Sequence, residues 1–252
     1  MKTVVLTIKP EFESAKKLGF QTISNTSRDV EWFDNKLVIR WGNSQCSFGK
    51  DGFKRDFKHV LNSAAAIRAN CYKSQSIRQI AKVAPTPTIF GMCIPKNKLA
   101  VLRPCEHSGG SSFKVIKGPY EIPCSHYATE FIKTDTEYRV WFAGDKTIYA
   151  KRVPVQQDDA TPVETNEKYP CRSKWGYDHI YSPVPPVLSK AVLAAAKTIG
   201  LVLGAADVLY KDGKYYILEL NSAPTLDTRR GLAFFQENIG RLQALYIASL
   251  PK

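Results

Sequence analysis

The chain has 252 residues, 44% of them hydrophobic and 23% charged, which is enough apolar material for a substantial core and argues against disorder. Its 36 Lys+Arg stand against 23 Asp+Glu, a net charge of +13. No stretch approaches the roughly 18 apolar residues of a membrane span, and the opening MKTVVLTIKPEFES is too short and too interrupted for a signal peptide, so a cytoplasmic location and no membrane partner are expected.

The first predicted strand is TVVLTI (3–8), followed by a weak helix in EFESAKKLGF (11–20) and a second strand in KLVIRWG (36–42). From Asp56 to about Ala81, apolar residues recur at helical spacing through Val60, Leu61, Ala65, Ile67, Ile77 and Ile80. The prolines of VAPTP end that helix. Strand-like PTIFGM and NKLAVLRPC follow, then the Gly/Ser stretch EHSGGSSFKVI, then strands in HYATEFI and EYRVWFAG. Residues 144–146 (GDK) read as a hairpin turn into TIYAKRVPV, and residues 156–187 as a long polar, Pro-rich loop. The segment 189–201 is a helix with Ser189 at its N-cap and Gly200 near its end. AADVLY and YYILELN are two strands around a KDGK turn, and a final amphipathic helix covers roughly 229–250. Sheets alternating with helices, and a late hairpin, make the class α+β or mixed α/β.

The six cysteines (46, 71, 93, 105, 124 and 171) form no CxxC pair, and the four histidines (59, 107, 126 and 179) are equally dispersed. Reduced structural thiols are expected rather than a zinc site or disulfide framework. The excess positive charge has two readings, attraction of an anionic substrate or nucleic acid, or a generally basic surface with no such partner.

The most informative segment is DVLYKDGKYYILELN (207–221). Glu219 and Asn221 lie two apart on one strand and point to the same face, and the tight turn returns Asp207 beside them. Three oxygen donors, two of them anionic, suit Mg²⁺ with coordination positions left for phosphate oxygens. An ordinary hairpin with its acids in solvent has the same spacing, so the motif needs company.

Company comes from an ordered series: AIRANCYKSQ, APTPTIF, AVLRP, HSGGSSF, ATEFIKTDTEYRV, TIYAKRV, CRSKWGY and GAADVLYKDGKYYILELNSAPTLDT. From about Ala64 to Thr228 this resembles the ATP-grasp superfamily of carboxylate–amine ligases, in particular ribosomal-protein glutamate ligases and short phage-type members. The resemblance implies an α+β ATP-grasp fold, two lobes clasping ATP, behind a short N-terminal substrate region. The corresponding divisions are 1–62, a small lobe with a glycine-rich loop at 63–132, and a C-terminal lobe with the metal site at 133–252. It also implies ATP and Mg²⁺ as cofactors, a carboxylate and an amine as substrates, and amide formation through an acyl-phosphate.

Residue by residue, the resemblance implies that Lys73 and Arg103 meet phosphates, and that Ser108, Gly109, Gly110 and Ser111 form a lid loop over them. Glu130, Phe131 and Ile132 are the interlobe linker against adenine, and Glu137 holds the ribose. Arg139 reaches phosphate or the acyl-phosphate, with Lys151 and Arg172 as further phosphoryl-binding candidates. Asp207, Glu219 and Asn221 hold the metal. Ser173 and Lys174 follow Arg172 where members often carry an asparagine, and Pro224–Thr225 stands in place of the usual Pro-Gly.

Overall fold

Residues 4–6 and 37–39 lie on the two central strands of an N-terminal four-stranded parallel sheet and are buried on both of its faces, which is why each is an unbroken apolar run rather than an alternating one. The structure is a computed structural model and describes residues 2–7, 13–24, 36–43, 47–48, 53–54, 57, 59–105, 113–134, 136–156, 175–226 and 228–248. Strand β1 (Lys2–Thr7) is followed by helix α1 (Glu13–Lys17), β2 (Gln21–Ser24) and β3 (Lys36–Arg40). The short β4 (Ser47–Phe48) and β5 (Phe53–Lys54) pair with each other, and β6 (Val60–Leu61) completes the first sheet in the order β2-β1-β3-β6. Val4, Leu6 and Val38 pack on one side of this sheet, and Val5, Leu37 and Ile39 on the other.

Where the apolar period predicted one helix over 56–81, there are β6 and two helices, α2 (Ala64–Cys71) and α3 (Lys73–Ile80). Ser63 caps α2, its hydroxyl accepting from the Ala66 N–H. Tyr72, at ψ 78°, ends α2, and its carbonyl accepts from Gln75 and Ser76 to begin α3. Periodicity cannot register a break that leaves Ile67, Ile77 and Ile80 all inward. The break has a local partner: Asn70 Nδ2 and Lys73 Nζ, one on each side of it, both donate to the Leu220 carbonyl, at 2.9 and 2.8 Å.

A small lobe follows. It contains β7 (Cys93–Ile94), β8 (Leu99–Pro104), β9 (Lys114–Lys117), β10 (Tyr120–Glu121) and β11 (His126–Glu130), arranged as an antiparallel sheet β11-β8-β9 and a two-stranded ribbon β7-β10. Ile94, Ala100, Leu102 and Ala128 form its core.

The largest sheet is antiparallel throughout, in the order β14-β13-β12-β15-β16. Its strands are β12 (Glu137–Ala143), β13 (Lys146–Gln156), β14 (Trp175–Ser182), β15 (Leu203–Lys211) and β16 (Lys214–Asn221). Strand β14 lies inside the stretch expected to be a loop: the aromatic-rich run WGYDHIYS pairs along β13 from Gln156–Trp175 to Tyr149–Ser182. Helix α4 (Pro186–Ile199) starts three residues before the predicted N-cap, because Pro186 is accepted at the first helical position, where its missing N–H costs nothing. Ser189 instead hydrogen-bonds Thr147 from within the first turn. Gly200 closes α4 in the left-handed conformation expected of it, φ 85°.

The two faces of the large sheet are covered differently. Val140, Phe142, Ala206, Val208 and Leu220 pack against α4, with α2 and α3 in the same layer. Trp141, Ala143, Leu203 and Ala205 pack instead against α5 (Arg229–Ala248) and the N-terminal sheet, through Phe234, Phe235, Ile239, Leu37 and Ile39. Beyond this second core, on the same face, lies the charged site. No helix among the described residues is long and apolar enough to cross a membrane.

Candidate metal and nucleotide site

The Asp212–Gly213 turn sets both residues in the left-handed region, φ 51° and 78°, as a two-residue hairpin of matching twist requires. From it the ladder runs Lys211–Lys214, Tyr210–Tyr215, Leu209–Tyr216 and Val208–Ile217. Continued regularly, this register would set Asp207 opposite Leu218 and send Glu219 and Asn221 to the other face. It does not continue. A bulge between Asp207 and Val208 leaves Leu218 as the extra residue, so Asp207 faces Glu219 directly and Ala205 faces Asn221. The bulge is therefore what gathers the three predicted oxygen donors on one face.

Strand β12 brings its own charges to that face. Arg139 pairs with Asp207 across the ladder, and Glu137 pairs with Arg152 on the far side. Arg139 Nε donates to Asp207 Oδ1 at 2.9 Å and Arg139 Nη2 to Oδ2 at 3.2 Å, a forked contact of the kind only guanidinium makes. Arg152 Nη1 donates both to Glu137 Oε1 at 2.8 Å and to Asp207 Oδ1 at 3.2 Å. Asn221 Nδ2 donates to Asp207 Oδ2 at 3.2 Å. Arg139 Nη1 reaches the hydroxyl of Thr225 at 3.1 Å, which gives a role to the residue standing in place of the glycine. The side chains of Asp207, Arg139 and Arg152 are only 3%, 10% and 9% exposed, so these are desolvated charges that depend on one another.

Lys73 enters from the first turn of α3, with Nζ 3.7 Å from Glu219 Oε2 in addition to its bond to Leu220 O. On the small lobe, Arg103 hydrogen-bonds the Tyr127 hydroxyl. Burial holds that phenol above the ordinary tyrosine range, against the lowering influence of Arg103, and the negative charge of Glu219 adds to the rise. Tyr127 of the small sheet thus lies within electrostatic reach of Glu219 on the large one.

Other sequence-predicted residues fall less centrally. At the end of β11, Glu130 Oε2 accepts from Thr88 Oγ1 at 2.9 Å, while the N–H groups of Glu130 and Phe131 donate to Thr88 O and Leu99 O. Ile132 is half-buried beside them. Lys151 is exposed, and strand alternation puts it on the opposite face of β13 from Arg152, so the site receives Arg152 where the sequence reading named its neighbour. The Glu137–Arg152 pairing, unreadable without strand register, is what identifies it. Ser108, Gly109, Gly110, Ser111 and Arg172 lie outside the described residues, as do Cys46, Cys171 and His107. Asn70, near the end of α2, has no distinguishing spacing in the sequence, and Thr225, in the loop after β16, stands out there only as the residue in place of the usual glycine.

Among the described residues no group of three His, Cys, Asp or Glu side chains is assembled to hold a metal. The set that is assembled, two carboxylates and a carboxamide, supplies hard oxygen donors of the kind Mg²⁺ takes when phosphate or water completes its shell. Glu219 is 27% exposed and only loosely paired, and Asn221 can exchange its nitrogen for its oxygen by turning its terminal amide. The residues fit a divalent ion.

A five-stranded antiparallel sheet backed by helices, a small antiparallel lobe and an N-terminal parallel sheet together make the ATP-grasp fold, and comparison with solved structures bears this out. The ATP-grasp ligase PsnB, solved with a minimal precursor, superposes with a TM-score of 0.65 at 14% identity, over 98% of this chain and 99% of that one. D-alanine–D-alanine ligase from Bacillus anthracis gives 0.65 at 12% identity, over 99% of this chain and 97% of that one. The macrocyclase MdnC from Microcystis aeruginosa MRC, bound to the precursor peptide MdnA, gives 0.60 at 13% identity, over 95% and 99%. The amino-acid sequence matches no protein-family model and no curated protein, so the likeness is one of fold.

Proposed function

We propose that the chain is an ATP-dependent ligase that joins a carboxylate to an amine. The observation that carries this reading is the convergence of Asp207, Glu219 and Asn221 on one sheet face, ringed by Arg139, Arg152 and Lys73, within an ATP-grasp fold. In this reading a substrate carboxylate oxygen takes the terminal phosphoryl group of ATP, giving an acyl-phosphate and ADP. The amine nitrogen then attacks the acyl carbon, phosphate leaves, and the amine gives up a proton as the amide forms.

Asp207, Glu219 and Asn221 would hold Mg²⁺, which when bound neutralises phosphate charge. Lys73 and Arg103 would meet phosphate oxygens, while Arg139, with Arg172, would offset charge on the transferring group. Glu137 would position the ribose, and residues 130–132 the adenine. The loop 108–111 would close over the phosphates and keep water from the acyl-phosphate. PsnB has also been solved with a precursor, Mg and ADP, and D-alanine–D-alanine ligase with ATP, which supports testing both peptides and amino acids as substrates.

The test incubates the full chain with Mg-ATP and separate pools of amino acids, peptides and nucleic acid, following phosphate release and, by mass spectrometry, product. Substrate-stimulated ADP formation with a new amide, abolished by EDTA and by Glu219→Gln, is expected. Failure of every pool to stimulate ADP formation, with nucleotide affinity unchanged in Asp207→Ala, would overturn the reading.

A further inference from the structure

Asp207 is fully engaged before any ion arrives. A carboxylate offers about four lone-pair positions. Oδ1 takes Arg139 Nε and Arg152 Nη1, and Oδ2 takes Arg139 Nη2 and Asn221 Nδ2, at 2.9 to 3.2 Å. Two guanidinium charges are balanced locally by Asp207 and Glu137. A free divalent cation reaching Asp207 would meet both guanidiniums at close range, and by displacing them would leave two buried cations short of their counter-charge. Neither loss is offset by anything a bare ion brings.

A cation carried on a polyphosphate is different, because the same complex supplies anionic oxygens for the displaced arginines. Each arginine also has a second partner to retain: Arg152 keeps Glu137, and Arg139 keeps Thr225. Resting on the metal–nucleotide reading above, we propose that Arg139 and Arg152 guard Asp207, so that the site refuses free divalent ions and accepts the metal only as its complex with a polyphosphate. Arg152 thereby acquires a role in ligand selection that its position next to Lys151 in sequence does not announce.

The probe is Mn²⁺, followed by electron paramagnetic resonance on the full chain, alone and with the non-hydrolysable nucleotide AMP-PNP. The wild type is expected to show no saturable site for free Mn²⁺ and to bind Mn²⁺–AMP-PNP. Arg152→Gln and Arg139→Gln are each expected to gain free-ion affinity by at least about tenfold, since one repelling charge is gone. Arg152→Lys, which keeps the charge, is expected to stay closed. Should a glutamine variant fail to fold, the wild-type titration decides alone: a free-Mn²⁺ site removed by Asp207→Asn would overturn the guard and leave the ligase reading standing. An equal gain in Arg152→Lys would also overturn it, by assigning the effect to packing. Absence of any Mn²⁺–AMP-PNP binding would overturn both readings together.

Discussion

Asp207 stands directly across the ladder from Glu219 because Leu218 is squeezed out of register between them. The face on which Glu219 sits is thus a property of the bulge. Exchanging the two residues, Leu218→Glu with Glu219→Leu, keeps composition and length while moving the carboxylate to the next position of the strand. Affinity for Mn²⁺–AMP-PNP is expected to fall at least about tenfold, as far as in Glu219→Leu alone. Affinity restored by the exchange would contradict the assignment of faces.

Gly204 is tied to the same site through backbone. A β-carbon there would lie 2.5 Å from the Asn221 carbonyl oxygen and 2.9 Å from the Phe142 ring, neither of which is a flexible chain end. Gly204→Ala is expected to cost about 1–3 kcal/mol and to weaken metal–nucleotide binding by displacing Asn221. Thermal melts and the same Mn²⁺ titration check both effects.

Asn62 plugs the start of β15. It is fully buried with φ 58°, its Oδ1 accepts from the N–H groups of Val202 and Leu203, and its Nδ2 donates to Leu203 O at 2.8 Å. Asn62→Ala leaves these groups unpaired and places alanine in a conformation it resists, so a loss of about 2–4 kcal/mol is expected in urea melts. Asn62→Asp, which keeps the two accepted bonds, should lose less at a pH low enough to protonate it.

On the α4 side of the large sheet, Tyr138 stacks on Tyr149 with centroids 5.0 Å apart and meets Tyr210 and Tyr215 edge-on. Burial first, and then the neighbouring tyrosines, hold the hydroxyls of Tyr138 and Tyr215 above the ordinary range. A raised folded-state value means a contribution to stability that is complete below the unfolded value, pH ~10, and lost as pH rises through the folded value. Stability is expected to fall as pH rises from about 10 to the folded-state values and to level off above them, and Tyr138→Phe should remove part of the fall. Denaturant melts across the alkaline range, with tyrosinate absorbance followed in parallel, measure it.

Much of this architecture could be read from the chain alone, because it depends on neighbours in sequence. The unbroken apolar runs at 4–6 and 37–39, the Asp-Gly turn at 212–213, the Gly200 stop and the long final helix are set by local sterics and by which face is apolar. That Glu219 and Asn221 share a face is legible because strand alternation fixes them relative to each other. What that alternation could not supply was the phase between the two arms of the hairpin, which the bulge at Leu218 decides. Nor could it show that Tyr72 splits a helix so that Asn70 and Lys73 share one carbonyl, or that Arg152 rather than Lys151 faces Asp207. Each of these depends on pairing between segments far apart in sequence, where a one-residue change in register moves a charge from one side of a sheet to the other, and only the packed tertiary structure selects the register that sets Arg139 and Arg152 against Asp207.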